Sequence, residues 1–382
     1  MRITFLSHSA NLGGAELALG ELIQGLRELD AAHSEVIVPR HGPMVARLER
    51  AGAKVVELRS YGWASLRASR VRLLTMAALD IPAVVRLAAR FVRRRPDLVV
   101  TNSLTNPCGA LAARITGVRH LWLVNEFGDL DHGYRFLLGM PQTLAAVNRL
   151  SSGILACSRA VSDRLTSCVP PEKVAFAYYA VTMEPGRPSA NPPSEWRSPR
   201  LLLLGKKHEG KGQLDAVRAL ALVRNHGLAA RLRLVGDAEP GYAGGLEQLC
   251  GELGVADAVE SVEFSPDPAR EIDAADIVLM CSRAEGFGRV TVEAMRRVRP
   301  VVGARAGATA ELLEASGGGV LYPPGDAGAL ADCIVGLCAD PREALRLALA
   351  GSRWAAAHCT PDGYVKAFLA LARAPARSDS GA

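Results

Sequence analysis

Aromatic residues are scarce, at 5% Phe, Trp and Tyr, and the eight cysteines include no pair at C-x-x-C spacing. Without such pairs a structural zinc site has no ligand framework, and Cys157, Cys281 and Cys333, each in an apolar setting, are expected as buried reduced thiols. No run approaches the roughly 20 apolar residues needed to span a bilayer, because arginines interrupt the most apolar region, Leu73 to Val92. Met1 to Ser7 reads as a strand rather than an export signal, so a cytoplasmic location is expected. No G-x-G-x-x-G follows that strand, which sets aside a nicotinamide dehydrogenase. No D-x-D element is expected in a plausible loop, which agrees with lysines and a helix N-terminus neutralising an anion in place of a metal.

What is present suits two domains. A chain of 382 residues, 49% hydrophobic and 22% charged, buries more than one ordinary core. The net charge of +6 suits phosphorylated ligands, anionic lipid or nucleic acid alike. The basic stretches lack the interleaved aromatics of a single-strand binder, so nucleic acid is not expected as a partner.

The apolar runs fall into two β/α series. Arg2 to Ser7 leads through Gly13 and Gly14 into a helical pattern from Ala15 to Leu29, and further strands are expected at Glu35–Val38, Lys54–Leu58, Leu98–Thr101, His120–Val124 and Ile154–Cys157. Periodicity is lost over residues 184–199, which read as a linker. A second series follows at Leu201–Leu204, Leu232–Val235, Val259–Phe264, Ile277–Cys281, Val301–Gly303 and Val320–Tyr322. This predicts two α/β domains, residues 1–183 and 200–358, each Rossmann-like and doubly wound, facing each other across a cleft. Residues 359–377 are expected as a helix returning to the first domain, and 378–382 as a disordered tail. Eight arginines between Ser65 and Arg95, interleaved with leucine, isoleucine and valine, predict amphipathic helices, either an ordinary solvated face or a contact with an anionic membrane surface.

The segment from Ile277 to Val302 reads strand, loop, helix, strand. Its loop holds Glu285, Gly286, Phe287 and Gly288, and the glycines let backbone amides approach a ligand while the following helix offers its N-terminus to an anion. Glu285 and Glu293 stand at different depths along that wall, and carboxylates accept hydrogen bonds from vicinal hydroxyls.

Together with PVVGARAGATAELL and GGGVLYPPGDAGALADCI, the segment EGFGRVTVEAM resembles glycosyltransferase family 4 of the GT-B fold. The resemblance implies a metal-independent, retaining transfer of a sugar from a UDP- or GDP-linked donor to a glycan, glycolipid or small-molecule acceptor, with no cofactor. It places Glu293 on the ribose, Glu285 against the donor sugar, and Gly286, Phe287, Gly288, Arg289 and Val290 near sugar and phosphate. LLLLGKKHEGKGQ resembles the family's pyrophosphate clamp, with Gly205 at the turn and Lys206 and Lys211 as the cations. Lys206 replaces the usual arginine, leaving a point charge where a bidentate fork would stand, and Lys207 is a candidate to share the load. The base is expected against backbone around Glu263 to Pro266, which includes Ser265. SANLGGAE resembles the N-terminal glycine loop and puts Gly13 and Gly14 near the donor phosphate. WLVNEFGDLDHG resembles the stretch where many members carry a histidine or arginine; here Asn125 holds that position, Glu126 is the neighbouring candidate for acid-base or acceptor work, and His132 reads as a satisfied loop residue. Asn102 and Ser103, just after a strand end, are further candidates to touch acceptor or phosphate. The alternatives are a non-catalytic sugar-nucleotide binder and a nucleotide-sugar 2-epimerase of the same architecture.

Overall fold

A computed structural model describes residues 1–66, 68–188 and 196–374. The tail expected over 378–382 and the middle of the 184–199 segment lie outside those residues. Contacts divide the chain into Met1–Ala180 with Thr360–Ala382, and Val181–Cys359.

In the first unit the elements are β1 (Arg2–Ser7), α1 (Gly14–Glu28), β2 (His33–Val38), α2 (Val45–Arg50), β3 (Lys54–Glu57), β4 (Ala64–Leu66), α3 (Arg70–Leu79), α4 (Ile81–Arg94), β5 (Leu98–Asn102), α5 (Cys108–Thr116), β6 (His120–Val124), β7 (Tyr134–Phe136), α6 (Met140–Leu150), β8 (Gly153–Ala156), α7 (Arg159–Thr166) and β9 (Val174–Phe176). In the second they are β10 (Arg200–Leu204), α8 (Gln213–Asn225), β11 (Arg231–Val235), α9 (Tyr242–Glu252), β12 (Val259–Val262), α10 (Pro268–Ala274), β13 (Ile277–Met280), α11 (Arg289–Arg296), β14 (Val301–Ala304), α12 (Gly307–Ser316), β15 (Gly319–Tyr322), α13 (Ala327–Ala339) and α14 (Pro341–His358). The last helix, α15 (Pro361–Arg373), groups with the first unit.

Each unit is built on a parallel sheet. The orders are β3-β2-β1-β5-β6-β8-β9 and β12-β11-β10-β13-β14-β15. The central strands β5, β6, β13 and β14 are buried along their whole length, as unbroken apolar runs in a parallel sheet require. Side chains cap several helices at their starts: Ser158 for α7, Asp267 for α10, Asp326 for α13 and Thr360 for α15. β4 and β7, three residues each, form a small antiparallel pair, and β9 is equally short. Such lengths carry too little alternation to be read from sequence.

α15 is fixed to the first unit by packing and by hydrogen bonds. Phe368 is fully buried beside Phe5 of β1, with ring centroids 6.1 Å apart, and the Arg119 guanidinium donates to the carbonyls of Ala372 and Leu371 at 2.6 and 2.8 Å. In the second unit Glu184 to Arg187 runs along residues 296–299: the Gly186 amide donates to the Arg296 carbonyl at 2.8 Å, and Arg297 and Arg299 bond the carbonyls of Glu184 and Arg187.

His120 is buried on β6, 2.8 Å from the Thr101 hydroxyl and edge-on to Trp122. Burial pulls its pKa down to about 3. The unfolded chain takes up a proton below about pH 6.5, whereas the folded chain resists until near pH 3, so stability falls as the pH drops through that window. His120→Gln is expected to flatten the slope in denaturant titrations between about pH 6.5 and 4; an unchanged slope would mean that other groups carry it.

Candidate functional site

In a doubly wound sheet the loops at the carboxyl ends of the strands part where the strand order reverses, and ligands bind there. In the second unit that place lies between β10 and β13. Two loops meet at it, residues 205–212 and 281–288. Gly212 has φ +71°, and a Cβ built on it would lie 2.3 Å from the Cys281 carbonyl oxygen, so glycine alone lets the loops touch. The Arg283 amide then donates to the Gly210 carbonyl at 3.0 Å.

This contact brings the charged groups together. Lys211 Nζ donates to Glu285 Oε2 at 2.6 Å, and Ser282 Oγ donates to the same oxygen at 2.9 Å. Gly288, left-handed at φ +75°, opens α11, so Arg289 and Val290 are its first residues and Phe287 is buried beneath. Glu293 lies one turn further along, 6% exposed, and accepts from Arg289 Nε at 2.9 Å. Lys211, Glu285, Arg289 and Glu293 therefore stand around one helix N-terminus.

The two other lysines diverge. Lys206 Nζ reaches Glu239 at 3.2 Å and is half exposed. Lys207 is buried, and its amine donates to Ser261 Oγ at 2.7 Å and the Val262 carbonyl at 2.9 Å; burial pulls its pKa down. Sharing of the anion load by Lys207 is therefore corrected: its ammonium ties the turn after β10 to the end of β12. Ser265 lies between β12 and α10 and hydrogen-bonds Glu271, which Arg233 holds below the usual carboxylate range.

The first unit reverses its strand order between β1 and β5. Gly13 precedes α1, and a Cβ on it would fall 2.4 Å from Glu16 Oε2, so the missing side chain makes room for that carboxylate, which also faces His8 Nε2 at 3.3 Å. Asn125 Nδ2 donates to Asn102 Oδ1 at 2.6 Å, and Asn125 Oδ1 accepts from the Tyr179 hydroxyl. Glu126 is 5% exposed and accepts from Ser103 Oγ at 2.6 Å, the Leu104 amide at 2.7 Å and the Asn125 amide at 3.2 Å. Burial pushes its carboxyl up, opposed by His8 and by these donors. Ser103 sits at φ +84°, and the Trp122 indole holds its carbonyl at 2.8 Å. Glu126 thus anchors a strained loop.

Asp129 and Asp131 have D-x-D spacing, which the sequence reading passed over, and protein groups occupy both. Arg164 bonds Asp129 at 2.7 and 2.8 Å, while Asp131 accepts the amides of Phe127 and Gly128. His132 lies against the Tyr134 ring at 5.3 Å. Sequence reasoning also missed Ser282, Glu239, His8 and Tyr179. His8 and Ser282 directly follow strand runs and were findable by position; Tyr179 and Glu239 are brought in by distant turns with no local signal.

Two doubly wound units with sites at their strand reversals define the GT-B architecture. The chain shares its fold with Anabaena HepE in complex with UDP, with a TM-score of 0.77 and 24% identity over 97% of this chain and 99% of that one. It likewise resembles sucrose-phosphate synthase of Thermosynechococcus elongatus, with a TM-score of 0.77 and 19% identity over 98% of both chains. Residues 198–340 match the family model described as glycosyl transferases group 1, and residues 13–180 match the model described as a glycosyl transferase 4-like domain. Its relatives include the GDP-mannose-dependent alpha-(1-6)-phosphatidylinositol monomannoside mannosyltransferase of Mycolicibacterium smegmatis, 32% identical over 169 residues, 41% of this chain and 43% of that one. D-inositol 3-phosphate glycosyltransferase 1 of Catenulispora acidiphila is 29% identical over 62% of each chain. The matches thus span less than two thirds of both these relatives. The lipopolysaccharide core biosynthesis glycosyltransferase LpsE of Rhizobium meliloti is 23% identical over 97% of this chain and 98% of that one.

The Glu285 carboxylate neutralises Lys211 in this structure. Removing its charge is expected to tighten binding of inorganic diphosphate to Glu285→Gln by about two- to five-fold, the scale of one partly exposed ion pair. Calorimetry with diphosphate reads this directly, and weaker binding would show that Glu285 does not compete with the anion.

Proposed function

We propose that the chain is a retaining glycosyltransferase that takes a sugar from a UDP- or GDP-linked donor. The observation that carries the reading is the meeting of Lys211 and Glu285 at the N-terminus of α11, within the stretch matched by the group 1 family. A nucleoside diphosphate suits this place: helix amides and Lys211 face the phosphates, and Glu293 accepts from a ribose hydroxyl. Lys206 joins by leaving Glu239, an exposed pair whose loss costs about 0–1 kcal/mol. UDP is supported by the full-length likeness to HepE, whose structures carry UDP, UDP with glucose, or UDP-glucose; GDP is supported by the M. smegmatis relative, which matches a smaller part.

In the reaction proposed, the bond between the anomeric carbon and the diphosphate oxygen breaks, and its electron pair stays on that oxygen. The acceptor hydroxyl attacks the same face and gives its proton to the departing phosphate, so configuration is retained without a protein nucleophile. Lys211 and the α11 amides stabilise the growing charge, which leaves no step for a divalent ion. Glu126, held by loop donors, acts as a positioning residue for Asn125 and Ser103.

A thermal-shift panel in EDTA is expected to show stabilisation by UDP or GDP and their sugars but not by NAD, about 2.7 kcal/mol at 100 times Kd. Stabilisation that appears only with a divalent ion would overturn metal independence. Once a donor is known, Lys211→Ala is expected to lower kcat by about 10²-fold or more with a smaller rise in KM; raised KM at constant kcat would make the lysine a uniform binder. Glu293→Ala is expected to weaken binding of the free nucleotide, and titration of that variant with UDP and GDP checks the ribose assignment.

A further inference from the structure

α4 has three distinct faces. Ala83, Leu87 and Phe91 are buried on the side packed against α5. At 3.6 residues per turn, Ile81, Val85 and Val92 share a second stripe, and they are 63%, 61% and 63% exposed. Arg86 and Arg93 run along the flank of that stripe. α3 repeats the pattern: Leu73 is buried, while Val71 and Leu74 are 72% and 54% exposed beside Arg70 and Arg72.

Charge on this surface has one sign. Between Arg70 and Arg94 the only acidic residue is Asp80, which is buried and turned inward, its oxygens accepting the Tyr61 and Gly62 amides at 2.8 and 2.7 Å. Arg90, on the flank nearer the sheet, is matched by Glu35 of β2. An exposed apolar stripe bordered by unmatched arginines calls for a partner that is apolar and anionic together. A polyanion such as nucleic acid would leave the isoleucine and valines in water. A second copy of the same face would set arginine against arginine. No helix among the described residues is long and apolar enough to cross a membrane.

We propose that α3 and α4 form a face that adsorbs to the surface of an anionic bilayer, with Val71, Leu74, Ile81, Val85 and Val92 entering the headgroup boundary and the arginines on lipid phosphates. The helices then lie in the plane of the surface. This inference does not depend on the donor chemistry, since none of these residues belongs to either strand-reversal site.

Co-sedimentation of the full chain with vesicles tests it. Binding is expected to vesicles of phosphatidylcholine with phosphatidylglycerol but not to phosphatidylcholine alone, and to fall about ten-fold or more when salt rises from about 0.1 to 0.5 M. Two double variants, Val85→Ser with Val92→Ser and Arg86→Gln with Arg93→Gln, are each expected to lose about ten-fold or more in vesicle binding. Unchanged melting temperature shows that both are folded. Equal binding to neutral and anionic vesicles, or wild-type binding by both variants, would overturn the proposal. So would self-association lost in the valine variant, or binding to DNA or RNA in place of vesicles.

Discussion

The candidate site of the second unit depends on a glycine backbone lying against a carbonyl. Gly212 approaches Cys281 so closely that any Cβ would displace one loop from the other. Lys211 is the next residue back along the chain, and Glu285 stands four residues beyond Cys281, so their ion pair follows from that contact. The pair joins two chain segments that share no helix or strand. A lysine alone here would be free to move; held against Glu285, which Ser282 fixes in turn, its ammonium waits at the mouth of α11, and the order that a bound anion would otherwise impose is already present.

The first unit solves a related problem with a buried carboxylate instead of a glycine. Glu126 gathers the Ser103 hydroxyl and two backbone amides, and it holds Ser103 in a left-handed conformation that a serine rarely adopts. Its charged form is disfavoured by burial and supported by those donors, so the loops after β5 and β6 are set by one group. The two ends of the Asn125 amide, directed to Asn102 and Tyr179, extend the same network across three chain segments.

How much of this was legible follows from the range of each interaction. The long central strands announce themselves as continuous apolar runs, and β1, β6 and β13 fall within a residue or so of expectation. Glu285 and Glu293 were singled out by a short loop, a helix start and the resemblance the whole segment carries, and the structure sets both at the start of α11. Lys207 was misread because nothing in its neighbourhood in the sequence distinguishes a lysine facing solvent from one turned under the sheet to Ser261. Asp129 and Asp131 were passed over for a similar reason: only the fold shows Arg164 and the loop amides claiming them. β4, β7 and β9 lacked the length to show a period.

The placement of α15 also bears on how the chain is made. β1 is made well before α15, so Phe368, which covers Phe5, is added only after the whole of Val181–Cys359. At about 5–20 residues per second this separates the two by tens of seconds. During that interval all of Val181–Cys359 is made, while Phe5 and the face of the first sheet that α15 covers stay open to water. The part translated second is thus the part that can finish folding first, and the first unit closes only when α15 arrives.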